Sequence, residues 1–189
     1  MVVMDLTLCS PAVREIVMLN GGIDRPLPLV SPRRAVSAEA ASRLRSAGSS
    51  DLFPGARSPE GALAGLWVHC GCFDEAHAAA QDLATVEGSY WHGIVHRQEP
   101  DDWNSGYWFR RAGRHPVFEA LGEQAREVAA RHGTVASRLK ANWDPFAFID
   151  LCAEARGKPG TPLEALALDL QLLEWRLLFE WCARRALKD

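Results

Sequence analysis

Two histidines four residues apart, His92 and His96, with a carboxylate three residues further on at Glu99, are the residue types and spacing in this chain most suited to chemistry. On an α-helix these positions lie on one face, so the three side chains project together. Neutral imidazole and carboxylate are donors for zinc and iron, and the stripe reads as a candidate site for zinc or iron. A further ligand is available from His69, Cys70, Cys72 or His77, which flank the preceding turn. There is no His-Glu-x-x-His motif and no pair of Cys-x-x-Cys knuckles. A second reading therefore stands beside the first, in which both histidines pack between helices and hydrogen-bond a carbonyl or carboxylate.

The same stretch is dense in aromatic residues. From Tyr90 to Phe109 it holds both tyrosines of the chain and Trp91, Trp103 and Trp108 of its 7 tryptophans. The leading functional expectation is a binding or interaction protein, its concave surface lined by Tyr90, Trp91, His92, His96, Arg97, Trp103 and Tyr107, for a small molecule or a protein. A metal-dependent enzyme built on His92, His96 and Glu99 is the alternative. Arg97, Arg110 and Arg111 offer guanidinium forks for an anion-binding rim, or else pair with Glu99, Asp101 and Asp102.

Several other chemistries are excluded. Neither common glycine-rich phosphate loop is present, nor a Gly-x-Ser-x-Gly elbow. With 24 acids, 21 bases and a net charge of −3, no basic footprint exists for nucleic acid or an anionic membrane. No apolar run approaches the roughly 20 residues of a spanning helix, and Met1 to Leu8, interrupted by Asp5, makes a poor secretory signal. Five cysteines, too few and too scattered for a disulfide scaffold, read as reduced thiols and give a cytoplasmic expectation.

The elements that must position the histidines are helices. Five times a capping side chain precedes proline at the first helical position, at Ser10-Pro11, Ser31-Pro32, Ser58-Pro59, Asp144-Pro145 and Thr161-Pro162, where the missing N–H costs nothing. Glu164 completes a capping box with Thr161. Gly21, Gly48, Gly71, Gly113, Gly133 and Gly157 sit where left-handed C-terminal caps are expected. Between these marks the chain predicts helices near 11–19, 34–47, 59–70, 74–84, 89–98, 102–112, 117–131, 145–156 and 162–187, with a short strand near Ile16 to Leu19 as a variant. Pro26, Pro28 and Pro32 make 21–32 extended or turn-like. The last helix, about 40 Å long, carries two apolar seams: Leu163, Leu166, Leu170, Leu173 and Leu177, and Leu168, Leu172, Trp175, Phe179 and Cys182. It reads as a central helix packed on both sides, or as one with a seam left for a homodimer.

The expected fold is all-α: stacked helical hairpins packed on a long C-terminal helix, with an irregular proline-rich N-terminal segment. The chain is read as one domain over 1–189, with 1–33 as N-terminal helix and extended segment and 34–189 as helical core. A chain of this length can bury roughly 70% of its unfolded surface.

Gly93, Ser105, Phe109, Ala112 and Pro116 have a spacing that resembles the small, aromatic and proline positions of tetratricopeptide-type repeats. Segments 71–77 and 100–106 each follow one helix and open another at an interval of about thirty residues, shorter than the thirty-four of that family, which implies stacked hairpins, not a repeat array. The stretch from Ser89 to Glu99, with Leu52 to Arg57, is similar to an uncharacterised bacterial protein family. That resemblance implies no activity.

Overall fold

The computed structural model describes residues 9–139 and 142–186. Among them the fold is all-α, with helices α1 (Pro11–Leu19), α2 (Ala38–Ser46), α3 (Ser49–Leu52), α4 (Pro59–Cys70), α5 (Phe73–Asp82), α6 (Val86–Gln98), α7 (Asp102–Ala112), α8 (Val117–Ala130), α9 (Pro145–Arg156) and α10 (Pro162–Ala183), and a 3₁₀ turn at Gly133–Arg138. The first eight residues and position 187 lie outside the described residues; the final helix, expected to run to 187, ends at Ala183, where Arg184 turns extended with φ −60° and ψ 144°.

Three cap-proline starts form as the sequence implies. Ser10, Asp144 and Thr161 each accept a backbone N–H of the first turn. Pro59 opens α4, but Ser58 makes no side-chain cap bond. Ser31-Pro32 starts no helix. The Ser31 N–H is taken by the carbonyl of Gln98 at 2.8 Å, which draws the segment into an extended strap across α6, and Ser37 caps α2 instead. The strand variant at Ile16 to Leu19 is replaced by helix, because Val13, Ile16 and Val17 bury one helical face. Gly71 takes the left-handed cap expected of it, with φ 73° and ψ 15°. Gly157 ends α9 in the right-handed region, and Gly48 caps the start of α3, with φ −77°.

Helices α4 to α7 pack consecutively, each on the next, and α10 packs on α4, α8 and α9. The wide apolar arc of α10 serves two cores in succession. Leu163, Leu166, Ala167 and Leu170 join α8 and α9 in one core, whereas Trp175, Leu178, Phe179 and Cys182 join α1, α2 and α4 to α7 in the other. Leu168, Leu172, Leu173 and Leu177 are half-buried and pack against these two cores.

The helix enclosed on every side is α6, where every residue from Gly88 to Gln98 is buried. Such a polar helix tolerates burial only when its side chains find partners. Close approach on both flanks is made possible by glycine: a Cβ on Gly88 would lie 2.0 Å from the Leu83 carbonyl oxygen, and one on Gly93 would lie 2.9 Å from the Phe109 ring. Ser105 of α7 closes the same seam by donating its hydroxyl to the Gly93 carbonyl at 2.8 Å.

Candidate metal centre

Tyr90 and Arg97, seven residues apart, share one face of α6, and His92 and His96 project from the other. The first face is fixed to α10. The Tyr90 hydroxyl donates to Glu174 Oε1 at 3.1 Å, the Arg97 guanidinium donates to Glu174 Oε2, and the side chains of both Arg97 and Glu174 are 0% exposed. Arg97 also lies 4.4 Å over the Phe148 ring. Burial, then the Glu174 carboxylate, pushes the Tyr90 hydroxyl well above its ordinary range. This ion pair sets the rotation of α6, and so aims the opposite face at α5.

That face meets His77. The hairpin turn from Leu83 to Thr85, capped by Thr85 on the Gly88 N–H, places His77 of α5 and His92 of α6 abreast. Their Nε2 atoms are 3.0 Å apart. Two ligands of a tetrahedral zinc, each bonded at 2.0–2.1 Å, stand about 3.3 Å from one another. The ring of His92 is sandwiched between Trp108, 3.9 Å away and 21° from parallel, and His96, 4.8 Å away and 12° from parallel. His77 meets both His92 and His96 edge-on. One ligand atom from each of His77, His92 and His96 fits within 4.8 Å of the others.

The protonation states suit a metal. Burial, followed by the neighbouring imidazoles of His77 and His96, drives His92 down to about 3. Burial and then His96 lower His77 as well. Both rings are therefore neutral at pH 7, the form that donates a lone pair. His96 Nδ1 faces Glu99 Oε2 at 3.0 Å; a carboxylate only accepts, so Nδ1 carries a hydrogen and Nε2 is the nitrogen left to meet a metal. The other oxygen of Glu99 accepts from Arg33. Glu99 thus stands behind His96, as carboxylates do in histidine–metal sites. His92 Nδ1 is buried with no hydrogen-bond partner.

A second grouping, His96 with Glu99 and Asp101, also brings its ligand atoms within 4.8 Å. Asp101, however, is committed to capping α7, its oxygens accepting from the backbone and side-chain nitrogens of Asn104 at 3.1 and 2.6 Å.

The residues expected to line a groove divide between two environments. Tyr90, Trp91 and Arg97 are 0% exposed and lie within the core. Trp103 and Tyr107 lie outside, 73% and 38% exposed, their rings 12° from parallel. Trp103 edges a cleft of about 300 Å³ with Gly106, Arg110, Phe146 and Ile149. Of the arginines, Arg97 pairs with Glu174, Arg111 lies 5.0 Å over the Trp108 ring, and Asp102 is held at both oxygens by Arg156.

Of the further ligands open to the sequence, the triad takes His77. His69 is buried elsewhere, its Nε2 3.2 Å from the Gly22 carbonyl and its ring against Trp175. All five cysteines are buried and outside any disulfide. Burial pushes the thiols of Cys70, Cys152 and Cys182 up to about 12 and that of Cys72 to about 11, so none of these four offers a thiolate at neutral pH.

No protein-family model, curated protein or solved structure matches the chain, and the tetratricopeptide-like resemblance has no confirmation from them.

Proposed function

We propose that this protein binds one divalent transition metal, zinc by the chemistry of the donors, through His77, His92 and His96, with Glu99 orienting His96 from behind. The observation that carries this reading is the convergence of three imidazoles from two helices, with two of their nitrogens 3.0 Å apart. Neutral imidazole is shared by zinc, copper and iron sites, and a three-histidine set with one position left over is a zinc arrangement that binds and polarises a further ligand. The site lies where the half-buried His77 meets solvent. A cytoplasmic address belongs to the same proposal, supported by five cysteines outside any disulfide; among the described residues no helix is long and apolar enough to cross a membrane.

Zinc titrations of single variants test the assignment of roles. Glu99→Gln keeps an acceptor for the His96 Nδ1–H but loses its charge, and should weaken zinc by about 10- to 100-fold, the usual effect of disturbing an outer carboxylate. His77→Ala removes a ligand and should weaken zinc further than Glu99→Gln does. Unchanged affinity in His77→Ala would contradict the triad, and a larger loss in Glu99→Gln than in His77→Ala would make Glu99 a direct ligand.

A second reading rests on the exposed Trp103, stacked on Tyr107 and edging a cleft with Phe146, which is 40% exposed. This cleft is where the groove-binding function expected from the sequence would be carried. It lies between α7 and α9 and uses none of the histidines.

A further inference from the structure

Three imidazoles leave a tetrahedral ion one coordination position, and the rim of the triad bears on what fills it. The strap between α1 and α2 crosses this rim. It is pinned at one end by the Ser31 N–H on the Gln98 carbonyl, at 2.8 Å, and at the other by the Val36 N–H on the Cys70 carbonyl, at 2.9 Å. Between these anchors Arg33 adopts φ 48°, a left-handed conformation uncommon for a residue with a side chain and tolerated where the surroundings hold it.

The Arg33 guanidinium is tied to both halves of the triad. It lies 4.0 Å over the Phe73 ring, which stacks on His77 with centroids 6.1 Å apart. It also shares Glu99 with His96. Its Nη1 is 3.8 Å from Asp74 Oδ1, beyond hydrogen-bonding reach, and the Arg33 side chain is 52% exposed. Donors of its planar fork therefore remain open to solvent beside His77.

Charge then selects the ligand. Three neutral imidazoles bring no negative charge to a divalent ion, and the Glu99 carboxylate is already shared by Arg33 and His96. A fourth ligand that is anionic lowers the energy of the site most. Arginine's fork matches a carboxylate with two parallel N–H bonds. The rim carboxylates of Asp74 and Asp101 oppose a multiply charged anion more strongly than a singly charged one. Resting on the metal reading above, we infer that the open position takes the carboxylate of a small monoanionic ligand, one oxygen on the metal and the group held by Arg33.

Cobalt(II) occupies the same kind of nitrogen site and reports its ligands through visible absorption. The cobalt-loaded protein is titrated with acetate and, at matched ionic strength, with phosphate, in the parent and in Arg33→Gln. Acetate should change the parent spectrum saturably and bind more tightly than phosphate. Arg33→Gln should still take up cobalt, but bind acetate roughly tenfold more weakly or worse, the loss of a charge-assisted hydrogen bond. A cobalt spectrum that acetate does not move, equal acetate affinity in Arg33→Gln, or tighter binding of phosphate would each overturn the inference while leaving the metal site standing. Failure of the parent to bind cobalt would remove the metal reading, and this inference with it.

Discussion

Glu174→Leu should destabilise the fold by about 3–5 kcal/mol, because it leaves the Arg97 guanidinium as an uncompensated charge in the core. Arg97 and Glu174 are both 0% exposed, and Arg97 Nε and Nη1 already have no hydrogen-bond partner, so the carboxylate is the main compensation for the charge. The substitution also removes the acceptor of the Tyr90 hydroxyl. Replacing the whole network at once, as Tyr90→Phe, Arg97→Met and Glu174→Leu, should recover most of the loss, since apolar residues of similar volume remove the desolvation cost as well as the attraction. Urea unfolding of the two variants and the parent measures both effects. A single variant within about 0.5 kcal/mol of the parent, the usual size of a surface change, would mean that the pair does not fix α6. A triple variant no better than the single one would assign the loss to packing instead of charge.

Acidification should destabilise the metal-free protein well before its carboxylates titrate. His92 is lowered to about 3 and His69 to about 4, in each case first by burial, and both are almost fully buried. The unfolded chain takes up their protons near pH 6.5 whereas the folded chain refuses them, so stability rises with pH through this window. It is complete above about pH 6.5 and is lost as pH falls from there toward the folded values. By pH 5 the two histidines together should cost on the order of 4 kcal/mol, taking about 1.4 kcal/mol for each pH unit below 6.5 at each group. His77, also lowered, acts in the same direction. Glu87, lowered to about 2 chiefly by the neighbouring His115, whose Nε2 lies 3.8 Å from its carboxylate, contributes stability that is lost only in the more acidic range between its unfolded and folded values. Chelator-treated protein unfolded in urea at pH 7.5, 6 and 5 checks the sign. A His92→Gln variant should lose part of the dependence, and equal stability at all three pH values would contradict the neutral, buried state assigned to His69 and His92.

The helical class and most helix starts were legible because the signals are local. A capping oxygen and a proline act within one turn, so Ser10, Asp144 and Thr161 could be read without knowing their neighbours. Ser31-Pro32 carries the same local signal, but its N–H is claimed by Gln98, a partner distant in sequence, and a tertiary bond decides the outcome. The aromatic and histidine segment was read as a surface because its polar residues suggested one. Tyr90 and Arg97 are instead buried against a single carboxylate on α10, and nothing in the local pattern singles out Glu174 within an apolar helix.

The candidate site was half legible. The four-residue spacing of His92 and His96 marks one helical face, and their parallel rings lie on it as expected. His77 was one of four further ligands open to the sequence. It could have been preferred because it lies six residues before the turn at Leu83 to Thr85 and His92 lies seven after it, so an antiparallel hairpin sets the two nearly abreast. Glu99 was read on the metal-facing stripe. Its position at the end of α6 lets its carboxylate turn back to His96 Nδ1 and outward to Arg33, an arrangement fixed by the strap and not by helical spacing.

The most direct measurement is the zinc stoichiometry of untagged protein, freed of metal and titrated with zinc in the presence of a competing chelator. The account predicts one zinc per chain in the parent, a higher melting temperature in the loaded form, and loss of both in the combined His77→Ala, His92→Ala and His96→Ala variant. At a free zinc concentration a hundredfold above its dissociation constant, the stabilisation should be about 2.7 kcal/mol. A folded parent that takes up no zinc and melts at the same temperature with and without it, or a triple variant that binds as the parent does, would contradict the account.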